Sequence, residues 1–224
     1  MQSPAILNWP MTSGATLQTT TTKRSGRLLI IDKGMASGTA LRTAATNKSA
    51  HAELDGGWIV FRLSNQIDFT VVDFDDTEAN AKVIGNGAVL VHVRRLQPGE
   101  RVNIDSLYGT LSIEQPGEYR FDVDAVGNFA RATVRAGAAT LYDKLGSPVP
   151  VAAGQQVTTS TMTVMQGGPT LARDAFDRWA ASRDALQNRS ASAAYVSRDM
   201  PGYQALDGHG NWARNPTYGA VWYP

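Results

Sequence analysis

The sequence predicts a mainly β fold, a β-sandwich or a short β-solenoid, followed by one α-helix and an irregular aromatic-rich tail. Three observations predict it. From residue 5 to residue 162, short runs of alternating apolar and polar residues are rich in β-branched and aromatic side chains. Turn signals of Gly, Pro, Asn and Asp separate these runs about every 8–12 residues, the spacing of an all-β domain. A helical apolar period occurs once, after residue 173.

The chain opens with an internal echo. Residues 11–25 resemble residues 35–49, with Met, Ser, Gly, Leu, two Thr and the final Ser coinciding at an offset of 24 residues. Such a period suits either stacked β-coils or one duplicated strand–turn unit. Alternation is then clearest at 58–63, 67–72, 88–93, 119–123 and 132–135. Tyr119, Phe121 and Val123 define a core face, which leaves Asp122 and Asp124 on the other side. The acidic run 73–78 lacks the glycine and distal glutamate of a calcium loop and reads as a solvated hairpin turn. Gln97-Pro98-Gly99-Glu100 and Gln115-Pro116-Gly117-Glu118 suit type II turns, in which glycine takes the positive φ. Ala153-Gly154-Gln155 is a third turn of related design.

The helix starts at Asp174, a plausible N-cap, with Asp177 in its first turn. Phe176, Trp179, Ala180, Arg183 and Leu186 recur at helical spacing, and Asn188 or Arg189 ends it. Phe176, Trp179 and Leu186 are expected to dock it onto the β domain. Residues 166–170 read as a hinge. The organisation expected is therefore a β domain over 1–165, a linker and docking helix over 166–189, and an extension rich in Tyr, Trp, Gly and Pro over 190–224.

Composition narrows the function classes. The net charge of +1 supplies no electrostatic drive toward nucleic acid. No apolar run reaches the roughly 18–20 residues of a membrane span. The absence of cysteine excludes disulfides and thiolate chemistry and fits an oxidising compartment. His51, His92 and His209 stand far apart, outside metal-ligand spacing. His92, between Val91 and Val93, belongs on an outer strand face. No Gly-x-Ser-x-Gly elbow or phosphate-binding loop occurs, and Gly85-Asn86-Gly87 is a turn. The expectation is a non-enzyme without catalytic residues, metal or cofactor. In the tail, Tyr203, Trp212, Tyr218, Trp222 and Tyr223 are the candidate contacts for a protein partner or a glycan. The competing role is to pin the extension to the domain or the helix. Open sheet edges offer a further mode, β-strand addition.

The stretch from Val89 to Val157 resembles the FecR domain of Gram-negative envelope proteins. The resemblance rests on Val-His-Val-Arg-Arg-Leu ending at Leu96, on Pro-Gly-Glu-Tyr-Arg-Phe-Asp-Val-Asp at 116–124, and on Thr-Val-Arg-Ala-Gly-Ala at 133–138. Ala-Ala-Gly-Gln-Gln-Val ending at Val157 and the early strand and turn at 7–14 add to it. The helix at 174–184, the segment 195–203 and the end 218–224 are similar to a subgroup that carries an aromatic tail after such a domain. This resemblance implies a periplasmic or extracellular scaffold that binds an envelope protein or itself. Glycan binding and FecR-type signalling are the alternatives. The family begins with an export signal that is absent from residues 1–9, and its tail continues beyond the point where this sequence stops, as expected of an excised fragment.

Overall fold

Along β9 (Gly117–Asp124) every second side chain, Tyr119, Phe121 and Val123, is buried. The residues between them, Glu118, Arg120 and Asp122, point to the opposite face, as a two-residue period dictates. That division organises the whole molecule. The computed structural model describes residues 40–42, 50–54, 59–74, 77–161, 164–197 and 203–224. The echo at 11–25 and 35–49 and the early turn at 7–14 lie outside these, apart from 40–42.

Two seven-stranded sheets pack face to face as a β-sandwich. The first runs β1 (Ala40–Arg42), β4 (Ile67–Phe74), β5 (Glu78–Gly85), β7 (Arg101–Ser106), β8 (Gly109–Ile113), β11 (Ala138–Tyr142) and β12 (Pro148–Ala152). The second runs β14 (Val164–Pro169), β13 (Gln155–Ser160), β10 (Phe129–Ala136), β9, β6 (Gly87–Val93), β3 (Ile59–Leu63) and β2 (Ala50–Leu54). Neighbours are antiparallel except the β5–β7 pair. From β4 onward the chain passes from sheet to sheet, usually after one hairpin, so each sheet is assembled from separated pieces of sequence. Phe61, Phe121, Val91 and Val134 of the second sheet face Phe69, Val83, Ile104 and Leu111 of the first in one core. Burying each such side chain stabilises the fold by about 1.5–3 kcal/mol.

The turns show two different uses of glycine. At 97–100 the Glu100 N–H donates to Gln97 O at 3.0 Å and Gly99 has φ +92°, the expected type II geometry. Gly117 instead starts β9 without a positive φ, and a Cβ there would sit 2.1 Å from Ala136 O. Its role is close approach between strands, which corrects the type II reading at 115–118. Beside it, Tyr119 Oη donates to Gln115 O at 2.7 Å and to Ala138 O at 3.2 Å, and burial pushes its pKa up to about 12.

Two other expectations change. Residues 166–169 belong to strand β14, which pairs with β13 across a register shift between Gln156 and Thr158. The joint before the helix is therefore 170–173, not 166–170. The edge strand β12 carries Pro148 and Pro150, which lack the N–H that an added strand needs. That edge is blunted against strand addition. The hairpin read from the acidic run is present, β4 ending at Phe74 and β5 starting at Glu78.

Candidate interaction surface over the second sheet

Helix α1 (Ala175–Asn188) begins with a reciprocal cap. The Asp177 N–H donates to Asp174 Oδ1 at 2.8 Å, and the Asp174 N–H donates to Asp177 Oδ2 at 3.0 Å. Its 14 residues extend about 21 Å at 1.5 Å each. That length covers β10, β9, β6 and β3, which lie about 14 Å apart in total.

The polar contacts across this interface are mainly ionic. Asp177, only 1 % exposed, accepts from Arg120 of β9 and from Arg135 of β10, both at 2.9 Å. Arg120 also reaches Asp174 at 2.7 Å and Asp122 at 2.8 Å. Two turns further along, Asp184 accepts from Arg62 of β3 at 2.6 Å and lies 3.2 Å from Nδ1 of His92 on β6. At the far end Arg94, just after β6, donates to Gln187. Arg173, ahead of the helix, pairs with Glu118 at 2.6 Å in a solvent-exposed bridge.

These charges shift one another. Burial opposes the Arg120 cation, but Asp122, Asp174 and Asp177 outweigh it and hold its pKa above the ordinary value. Burial likewise pushes the Asp184 carboxyl up, yet His92 and Arg62 hold it below the usual carboxylate range. Asp174 sits low for a similar reason: burial is overcome by the Asp177 N–H and Arg120.

The docking stripe is thus Asp177, Ala180, Asp184 and Gln187, at i, i+3, i+7 and i+10. The expected stripe of Phe176, Trp179 and Leu186 is corrected at Leu186. Leu186 is 53 % exposed and belongs to the solvent side. Phe176 and Trp179 are half-buried and stack on each other with ring centroids 5.8 Å apart, and Arg183 lies 5.7 Å from the Trp179 ring. The sheet face beneath presents guanidiniums on either side of a single leucine, Leu90, which pairs with Arg62 on β3 and with Arg120 on β9. The sequence shows only that Arg62, Arg120 and Arg135 each alternate with core residues; which acids they meet is set by the fold.

The tail folds onto the helix end. Its first part is a 3₁₀ turn, Ala191–Ala194, whose Ala191 and Ser192 N–H groups both donate to Asp207 at 2.9 Å. Burial raises the Asp207 carboxyl, but the Ser192 and Ser190 hydroxyls and the backbone donors hold it low. A second 3₁₀ stretch, Tyr203–Gly208, leads into a separate hairpin of β15 (Asn211–Asn215) and β16 (Gly219–Tyr223). Trp212 and Trp222 face each other across it.

The five tail aromatics divide. Tyr203 is 1 % exposed and its hydroxyl donates to Gln187 O at 3.1 Å, so it is an anchor and not a contact residue. Trp212 is half-buried, donates to Ser192 Oγ at 2.8 Å and stacks on Tyr195 at 4.7 Å. Trp222 is half-buried and donates to Leu206 O at 3.3 Å. Tyr218, 79 % exposed, and Tyr223, 48 % exposed, present their rings to solvent. Among the described residues no group of three or more His, Cys, Asp or Glu could hold a metal ion, and no helix is long and apolar enough to cross a membrane.

Fold and surface together define a two-sheet β-sandwich with an ion-clamped helix on its second sheet and an aromatic hairpin beyond the helix end. Two crystal structures of a "putative anti-sigma factor" from Parabacteroides distasonis ATCC 8503 are similar to part of this chain in fold. One has a TM-score of 0.51 at 12 % identity, covering 59 % of this chain and 60 % of that one. The other has a TM-score of 0.50 at 11 % identity, covering 58 % and 59 %. The likeness thus spans less than two thirds of either protein. No family model and no curated protein matches the sequence.

Proposed function

We propose that this chain is a non-catalytic regulatory module of the cell envelope, of FecR type, which acts by binding a protein partner in the periplasm or outside the cell. The observation that carries the reading is the shared sandwich of the two anti-sigma-factor structures. An exposed aromatic surface supports it: the C-terminal hairpin offers the rings of Tyr218 and Tyr223 to solvent. Regulation by this module requires no chemistry of its own, only a partner whose affinity differs between two states.

The test is transcriptional. Deleting residues 190–224 in the native host should change the transcript level of a small linked gene set, with the β signal of the purified variant retained. An unchanged transcript profile beside an intact sandwich would contradict the proposal. Glycan stacking is the second reading, favoured by the Tyr218 ring at the hairpin tip. A saturable shift of tryptophan fluorescence on titration with muropeptides would support it over protein binding.

A further inference from the structure

Helices on sheets normally bury an apolar stripe. Here α1 buries a carboxylate, an alanine and a carboxamide, half-buries Asp184 together with Phe176 and Trp179, and leaves Leu186 in solvent. Without α1, the sheet face beneath it would carry Arg62, Arg94, Arg120 and Arg135 against the acids Glu118 and Asp122, with His92 and one apolar residue, Leu90, among them. The helix supplies the missing negative charge through Asp174, Asp177 and Asp184.

We propose that α1 is an intramolecular stand-in for an acidic helix of a partner protein, and that the guanidinium-lined outer face of β3, β6, β9 and β10 is the surface such a helix occupies. This rests on the protein-binding reading above and names its surface and the chemistry of its ligand. Three observations carry it. First, the recognition is by charge, the kind that sets specificity and association rate more than net affinity. Buried ion pairs roughly offset their own desolvation, so this interface is exchangeable in a way an oily one is not. Second, the fit is incomplete. Arg135 Nε and Asp177 Oδ1 are buried with no hydrogen-bonding protein partner, an arrangement that a better-matched ligand relieves. Third, α1 follows a joint without regular structure whose ties to the sheet from 171 to 173, Arg135 to Leu171 O at 3.3 Å and Arg173 to Glu118 at 2.6 Å, are solvent-exposed, so it can lift while the sandwich stays folded.

The register also specifies the ligand. Its carboxylates must lie seven residues apart, about 10 Å along a helix. A small residue must fall between them, and a carboxamide three residues after the second, as in Asp177, Ala180, Asp184 and Gln187. The cis helix competes at an effective concentration in the millimolar range, which keeps weak or mismatched helices off.

The test uses the full chain with Asp177→Asn and Asp184→Asn to loosen α1, and a fluorescein-labelled peptide of residues 171–190 as the probe. Fluorescence anisotropy should show the loosened chain binding the peptide at least about tenfold more tightly than the unaltered chain does. Adding Arg120→Glu should remove that gain. Should Arg120→Glu unfold the sandwich, a peptide with both aspartates changed to asparagine takes its place and should not bind the loosened chain. Equal binding by loosened and unaltered chains, binding by neither, or insensitivity to these charge changes would overturn the proposal. So would a concentration-dependent dimer of the unaltered chain, which would make a second copy the occupant. The transcriptional test above involves no peptide, so either result can fail alone.

Discussion

The two faces of β9 are built on opposite principles. Inward, Tyr119, Phe121 and Val123 join a continuous apolar core between two sheets. Outward, Arg120 gathers Asp122, Asp174 and Asp177 into a charged clamp under α1. The first face derives its stability from removing apolar area from water, which is non-directional and tolerant. The second depends on geometry: each charge is costly unless its partner is in place. One strand therefore carries both the most durable layer of the molecule and its most conditional one.

Changes on the two faces should break in different ways. Phe121→Ala, in the apolar core, should cost about 3–5 kcal/mol and lower the urea midpoint of the whole domain. Asp177→Asn removes the charge shared by two arginines and should cost about 3 kcal/mol. Its effect should be local: amide exchange across 175–188 speeds up while β9 and β10 stay protected. A drop in the global midpoint as large as that of Phe121→Ala would erase the distinction between the faces.

Acid should act in the same order. Asp184 and Asp174 have folded pKa values held below the ordinary carboxylate range. Their stabilisation is therefore complete above the unfolded value of about 3.9 and is lost as pH falls through the lower folded values. Proteolysis by an acid-active protease, sampled from neutral pH to well below the unfolded value of about 3.9, should show release of α1 only at the acid end, before the sandwich opens. Smaller still, Tyr203→Phe deletes one hydrogen bond to Gln187 O and should cost about 1 kcal/mol, seen as faster cleavage within 190–202. Arg173→Ala, which breaks an exposed bridge to Glu118, should change stability by less than about 1 kcal/mol in denaturant titration.

The legibility of the two faces differed as their physics does. Alternation at 58–63, 88–93 and 119–123 revealed the strands and their inner face, because burial imposes a period of two on sequence. The helix limits were legible from Asp174 and Asn188, since capping is local chemistry. The docking stripe was not. Phe176 and Trp179 outweigh Asp177 and Asp184 in any apolar count, and the partners of those acids, Arg62 and Arg120, lie 122 and 57 residues away. A charged pair has no periodic signature of its own; it becomes visible only when the fold brings the two elements together. The same holds in the tail, where Tyr203 and Tyr218 read alike and separate into an anchor and an exposed ring.

Amide hydrogen exchange of the Asp177→Asn, Asp184→Asn double variant, set beside the unaltered chain at neutral pH, tests the ionic clamp most directly. The predicted result is at least tenfold faster exchange in α1, the size expected of even 1.4 kcal/mol of lost docking, with β3, β6, β9 and β10 unchanged. Unaltered protection of α1 would show that its half-buried aromatics hold it down, and would contradict the clamp.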